Sequence, residues 1–232
     1  CVGQEYFMQA AKARGCNQFI LFSNSPLVQY TLNGKGYAPT NNSANITDEG
    51  YAAYAKYLVD VAEHLMDKGF KISYISPINE PQVEWNTPSQ EGSPWRNSQI
   101  SRMFRSLDKE LSRSAKFDCV RMSVAETALL RAVYSQYESM NARFDNDTTE
   151  SPGRQLYMFF DEQSPHYLGN LKHLDKEFAA HPYNNHFTSE ELRETHILAN
   201  AEAQKYGLAY HSSEWCLLPT SKQYGGITDD WQ

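Results

Sequence analysis

The chain is 232 residues long, 41% hydrophobic and 13% aromatic, with a formal charge of −7, which is enough for one domain with a full apolar core. No run of Lys or Arg exceeds two residues, so nucleic acid and anionic membrane surfaces are excluded as principal partners. No window approaches the roughly 18 uninterrupted apolar residues of a membrane-spanning helix.

Helix and strand signals alternate along the chain. Residues 4–14 read as a helix stopped by Gly15. A short apolar strand, Gln18-Phe19-Ile20-Leu21-Phe22, then runs into Ser23-Asn24-Ser25-Pro26. Residues 31–46 are rich in Gly, Asn, Pro and Thr and read as a loop. Thr47 caps a long helix with Asp48 and Glu49 in its first turn, where negative charge suits the helix dipole. Tyr54, Leu58, Val61 and Leu65 supply its buried stripe and Gly69 ends it. The next strand starts at Ile72 and runs out in Ile78-Asn79-Glu80-Pro81; a loop containing Trp85 follows, up to about residue 97.

A helix over 98–114 leads to a strand at 119–126, and residues 128–142 read as helical again. Residues 143–154 read as loop, and 155–160 fit strand or helix equally by periodicity. A strand at 177–183 ends in His181-Pro182-Tyr183. Thr188 and Glu191 form a capping box that opens helix 189–206, stopped by Gly207. The last strand, from Leu208, ends in Ser213-Glu214-Trp215.

Strands separated by helices of this length pair in parallel through right-handed crossovers. A doubly wound sheet would show a Gly-rich phosphate turn after an early strand, and none is present. Polar residues recur instead at the strand ends: Asn24, Glu80, Glu126, His181 and Glu214. That recurrence favours a (β/α)8 TIM barrel, whose strand ends converge on one mouth. The chain starts at Cys1 and stops soon after a strand, so an incomplete barrel, about strands three to seven, is expected over residues 1–232.

Two strand-end carboxylates are what glycosidic bond cleavage needs. Counting the first strand as strand three puts Glu80 on strand four and Glu214 on strand seven, facing each other across the mouth. Glu126 is the alternative carboxylate. A separation of about 5–5.5 Å would fit double displacement, and about 6.5–9.5 Å inversion. Asn79, just before Glu80, is placed to hydrogen-bond a sugar 2-hydroxyl. The four cysteines, Cys1, Cys16, Cys119 and Cys216, lack metal-ligand spacing. Cys16 and Cys119 precede strands and are expected as buried thiols; pairing stays open. His181…His186 and Asp145-Asn146-Asp147 match metal spacings only loosely, and neither a metal nor a cofactor is expected. Asn41, Asn45 and Asn146 open N-x-S/T triplets, which matter only in a eukaryotic secreted protein.

Phe22-Ser23-Asn24-Ser25-Pro26, Asn79-Glu80-Pro81, Gln90-Glu91-Gly92, His181-Pro182-Tyr183 and Ser213-Glu214-Trp215-Cys216 together resemble glycoside hydrolase family 30. The Ser-Asn-Ser-Pro turn and the Trp85…Gln90-Glu91-Gly92 loop are similar to its endo-β-1,6-galactanase-like branch, although members often carry Cys where this chain has Ser93. The resemblance implies Glu80 as general acid/base and Glu214 as nucleophile of a retaining glycosidase acting on β-linked polysaccharide or oligosaccharide. It also implies two barrel strands before Cys1, an eighth after Gln232 and a β-sandwich. Asn24, Gln90 and Glu91 are substrate-binding candidates, Trp85 and Trp215 candidate sugar platforms, and His181 and Tyr183 candidates to orient Glu214. A secreted or periplasmic monomer is expected. The competing readings are a non-catalytic carbohydrate-binding relative, and a xylan or β-glucan specificity of the same clan.

Overall fold

The computed structural model describes residues 2–124, 126–182 and 188–215. Five strands and six α-helices alternate among them: α1 (Val2–Lys12), β1 (Phe19–Phe22), α2 (Gly50–Asp67), β2 (Ile72–Ser76), α3 (Asn97–Leu111), β3 (Arg121–Met122), α4 (Glu138–Arg143), α5 (Gln155–Phe160), β4 (Glu177–Ala180), α6 (Ser189–Lys205) and β5 (Ala209–Ser212).

All the strand pairings are parallel and follow chain order. Leu21 pairs with Ile75, Ile75 with Met122, and Phe178 with Tyr210. Single parallel bridges, Met122 with Leu174 and Thr127 with Ala180, join the β3 side to the β4 side. Neighbour order therefore never reverses, as in a barrel wound in one direction and unlike a doubly wound sheet.

The long helices form where their apolar residues fall on one face. In α2, Tyr51, Tyr54, Ala55, Leu58, Val59, Ala62 and Leu65 are buried at helical spacing. The Thr47 hydroxyl accepts the Gly50 N–H at 3.0 Å at the helix entrance. At the other end Gly69, at φ +80°, lets Phe70 N–H reach Leu65 O and Gly69 N–H reach Met66 O, closing the helix and turning the chain into β2. Gly207 ends α6 with the same pair of bonds to Ala203 and Gln204. Helix α3 presents Ile100, Met103, Phe104, Leu107 and Leu111 to α2 and the sheet. Each such side chain, fully removed from water, contributes about 1.5–3 kcal/mol.

Three expectations need correction and one ambiguity is resolved. The helix expected over 128–142 is a 3-10 turn, Leu130–Val133, and then the short α4. Leu130, Ala132 and Val133 are all buried, and Leu130 and Val133 pack into the core. The ambiguous segment 155–160 is the helix α5. The strand expected at 119–126 is only two residues long, Arg121–Met122, and by Glu126 the backbone has left extended geometry, at φ +47°. Cys16 and Cys119 are exposed free thiols, since each sits on the turn before its strand, outside the core. Cys1 and Cys216 lie outside the described residues.

Candidate active site

The strand ends gather the polar residues. Asn24 follows β1, Asn79 and Glu80 follow β2, and Glu214 and Trp215 follow β5. Together with Trp85, Gln90 and Glu91 they line one cleft of about 1290 Å³. Eight of the ten residues singled out from sequence thus share a single depression. Tyr183 lies outside the described residues. His181 is fully buried and does not line the cleft; it stands behind the carboxylates.

Glu80 is held in an uncommon backbone conformation, at φ +44°. Three bonds fix it there. Its N–H donates to the carbonyl of Glu126 at 2.9 Å, and its own carbonyl accepts Val83 N–H at 3.0 Å and the Trp85 indole N–H at 3.1 Å. The turn swings the Glu80 side chain, 8% exposed, to the cleft floor. Asn79 is 2% exposed, and its Oδ1 finds no partner among the described residues of the cleft wall.

The imidazole of His181 is the hub of this floor. Nδ1 lies 2.8 Å from Glu80 Oε1 and 3.6 Å from Glu214 Oε2, and Nε2 lies 3.2 Å from Glu126 Oε2. Burial opposes its charge, but the hydrogen bonds to Glu126 and Glu80 and the charge of Glu214 outweigh that, and its pKa is pushed up to about 9. At neutral pH His181 is an imidazolium that donates from both nitrogens. One oxygen of Glu80, one of Glu214 and a ring nitrogen of His181 lie within 4.8 Å of one another. That spacing would suit a metal ion only with His181 deprotonated, since an imidazolium has no lone pair to offer one.

Sequence reasoning did not find the roles of three neighbours. Glu126, the alternative carboxylate, is 2% exposed and outside the cleft lining, which removes it from contact with substrate. Ser213 hydrogen-bonds Glu126 Oε2 through its hydroxyl. Gln82 is buried and ties two loops together, donating to Pro152 O at 2.8 Å and accepting Ala128 N–H at 3.0 Å. Glu126 stood out in sequence as a strand-end carboxylate, and Gln82 and Ser213 only as polar neighbours of Glu80 and Glu214.

The cleft loops explain the Trp85…Gly92 pattern. Gly92 N–H donates to Gly36 O at 2.9 Å and Ala38 N–H to Trp85 O at 2.7 Å, so the two loops run side by side. A Cβ on Gly92 would stand 2.3 Å from the Trp85 ring, so the indole is seated directly on this glycine. Ser93, where a Cys was anticipated from the resemblance, is buried and its hydroxyl accepts Asn45 N–H at 2.8 Å.

Comparison with known proteins fits this arrangement. The family model described as O-Glycosyl hydrolase family 30 matches residues 1–230. An endo-beta-1,6-galactanase from Hypocrea rufa is 34% identical over 113 residues, 47% of this chain and 23% of that one. The crystal structure of a conserved exported protein from Bacteroides fragilis superposes with a TM-score of 0.83 at 26% identity, over 95% of this chain and 43% of that one. The catalytic domain of GH30 xylanase C from Talaromyces cellulolyticus gives a TM-score of 0.50 at 15% identity, over 77% and 36%. The chain thus spans less than half the length of these relatives, and its architecture is of the TIM-barrel type. The matched model, extending over almost every residue, shows that the chain belongs to O-glycosyl hydrolase family 30.

Proposed function

We propose that this chain carries the catalytic centre of a retaining glycosidase that cleaves β-linked polysaccharide, with β-1,6-galactan as its substrate class. The observation that carries the reading is that one carboxylate oxygen of Glu80 and one of Glu214 come within 4.8 Å of each other in one cleft. Double displacement uses carboxyl groups about 5–5.5 Å apart, whereas inversion leaves room for water at about 6.5–9.5 Å. A binding module would have no use for two opposed carboxylates.

In this mechanism Glu214 attacks the anomeric carbon while Glu80 gives its proton to the departing glycosidic oxygen. The bond to the leaving sugar breaks as the Glu214 ester forms. Glu80, now a carboxylate, takes a proton from water, and the resulting hydroxide displaces Glu214 with a second inversion. The Nδ1–H of His181, directed at Glu80 and Glu214, orients both carboxylates. Asn79 meets the sugar beside the reacting carbon, and Trp85 and Trp215 offer ring faces on either side of Glu80 and Glu214. In this reading residues 1–232 supply strands three to seven of the barrel.

The galactan assignment draws on the Hypocrea rufa relative, and the relative described as an exported protein favours action outside the cell. The decisive experiment follows the anomeric configuration of the first product by proton NMR, using β-1,6-galactooligosaccharides and the complete protein. Initial release of the β-anomer, lost in Glu214→Ala with folding intact, is expected. Initial release of the α-anomer, or full activity in Glu214→Ala, would overturn the mechanism. Cleavage of xylan in place of galactan would move the substrate and leave the chemistry.

A further inference from the structure

We propose that Glu126 is a positioning residue of this site: from behind the cleft it clamps His181 and Ser213, and so sets Glu80 and Glu214 against each other. This rests on the glycosidase reading above and extends it to a residue that never meets substrate.

Glu126 touches the machinery at three points. Its Oε2 accepts from His181 Nε2 at 3.2 Å, and the other imidazole nitrogen is 2.8 Å from Glu80 Oε1. The same oxygen is hydrogen-bonded by the hydroxyl of Ser213, the residue just before Glu214. Its backbone carbonyl accepts the N–H of Glu80 at 2.9 Å. One residue thereby anchors the backbone of one carboxylate, the backbone neighbour of the other, and the imidazole that faces both.

Chemistry explains why a carboxylate occupies this place. Glu126 is 2% exposed and takes φ +47°, so both its charge and its backbone are expensive here. An apolar side chain would suit the burial better, unless the charge has work to do. It sustains the second proton on His181, and with it the Nδ1–H directed at Glu80 and Glu214. Without that proton a ring lone pair could face the two carboxylates and push them apart. Among the described residues, the carboxylates that face His181 include Glu80 after β2, Glu126 after β3 and Glu214 after β5. On the other side of Glu126, at longer range, stands His211 of β5, itself 3.3 Å from Glu177 of β4.

The test is Glu126→Gln in the complete protein, which preserves shape and a hydrogen-bond acceptor but removes the charge. Two readouts are taken: the imidazole NMR titration of His181, and the pH profile of kcat/KM on β-1,6-galactooligosaccharides. The expected result is a His181 midpoint at least about tenfold lower in proton affinity, one pH unit. With it, the alkaline limb of kcat/KM moves down in pH, so that activity falls by more at alkaline pH than at about pH 5, below the ordinary histidine range. An unmoved His181 midpoint, or a loss of activity equal at every pH, would overturn the proposal.

If Glu126→Gln fails to fold, Ser213→Ala removes only the other arm of the clamp. A several-fold lower kcat at unchanged KM is expected, and wild-type kcat would overturn the clamp. The NMR readout needs no turnover. A wild-type protein inactive on every glycan, with His181 responding as described, refutes the glycosidase reading alone; an active enzyme with an unresponsive His181 refutes the role of Glu126 alone.

Discussion

Single atoms decide how the cleft loops are shaped. Trp85 stands on Gly92, its indole N–H bonded to the Glu80 carbonyl and its own carbonyl to Ala38 N–H. Nothing larger than hydrogen fits beneath the ring, so Gly92→Ala must lift the indole from its seat. We expect both Gly92→Ala and Trp85→Ala to raise KM about tenfold, equivalent to about 1.4 kcal/mol of binding. Steady-state kinetics on galactooligosaccharides provide the check, and an unchanged KM in Trp85→Ala would discard the ring as a sugar platform. Asn45 has a comparable role in the layer behind. Its side chain accepts Leu32 N–H and donates to Asn33 Oδ1, Lys35 O and Tyr37 O, organising the 31–46 loop from a site 1% exposed. Removing it strands several buried polar groups, so Asn45→Ala should cost about 1–3 kcal/mol in denaturant unfolding.

Elements, unlike single contacts, were largely legible in sequence. Periodicity located α2, α3 and α6, and a glycine at positive φ marked the end of two of them: Gly69 after α2 and Gly207 after α6. The Thr188 cap formed as anticipated, its hydroxyl accepting Glu191 N–H at 3.2 Å. Periodicity failed at the 3-10 turn Leu130–Val133, and after β3, where the backbone departs from extended geometry by Glu126. Both failures lie beside the site, where local preference yields to tertiary demands. The helices also differ in how they are held. Arg102 and Asp48 meet at 2.5 Å, but both side chains are exposed, and such a pair contributes about 0–1 kcal/mol. Leu107, with no exposed surface between α3 and its neighbours, carries more. We expect Leu107→Ala to lose about 2–5 kcal/mol by creating a cavity, while Arg102→Ala stays within about 1 kcal/mol. Urea titrations of the two variants test that order, and equal losses would contradict it.

At the scale of the whole molecule, five strands bring together residues separated by more than a hundred positions: Glu80 and His181 are 101 apart in sequence and 2.8 Å apart in space. Sequence could place each of them at a strand end, because strand ends are local features. It could not show that His181 would turn away from the cleft and bind three carboxylates, since that depends on curvature accumulated over the entire sheet. The arrangement links folding to pH. In the unfolded chain His181 titrates near its ordinary value of about 6.5. In the fold its pKa is about 9, because Glu126, Glu80 and Glu214 favour the proton more than burial opposes it. The folded state therefore holds a proton that the unfolded state gives up between these values. Stability from this group is complete below about pH 6.5, declines as pH rises, and is gone once pH has passed through about 9. Tyrosines held in the fold act in the same direction only at higher pH; half-buried Tyr74, for instance, is pushed up to about 12 by its bond to Asp175 and by partial burial. A melting temperature that falls steadily from about pH 7 to about pH 9, ahead of the tyrosine range near about 10, is the expected signature. In His181→Gln the fall over that interval should largely vanish, with lower stability at neutral pH because three carboxylates then face one another without the cation. A wild-type melting temperature flat over that interval would show that His181 carries no extra proton, and that the carboxylates at the cleft floor are held apart by other means.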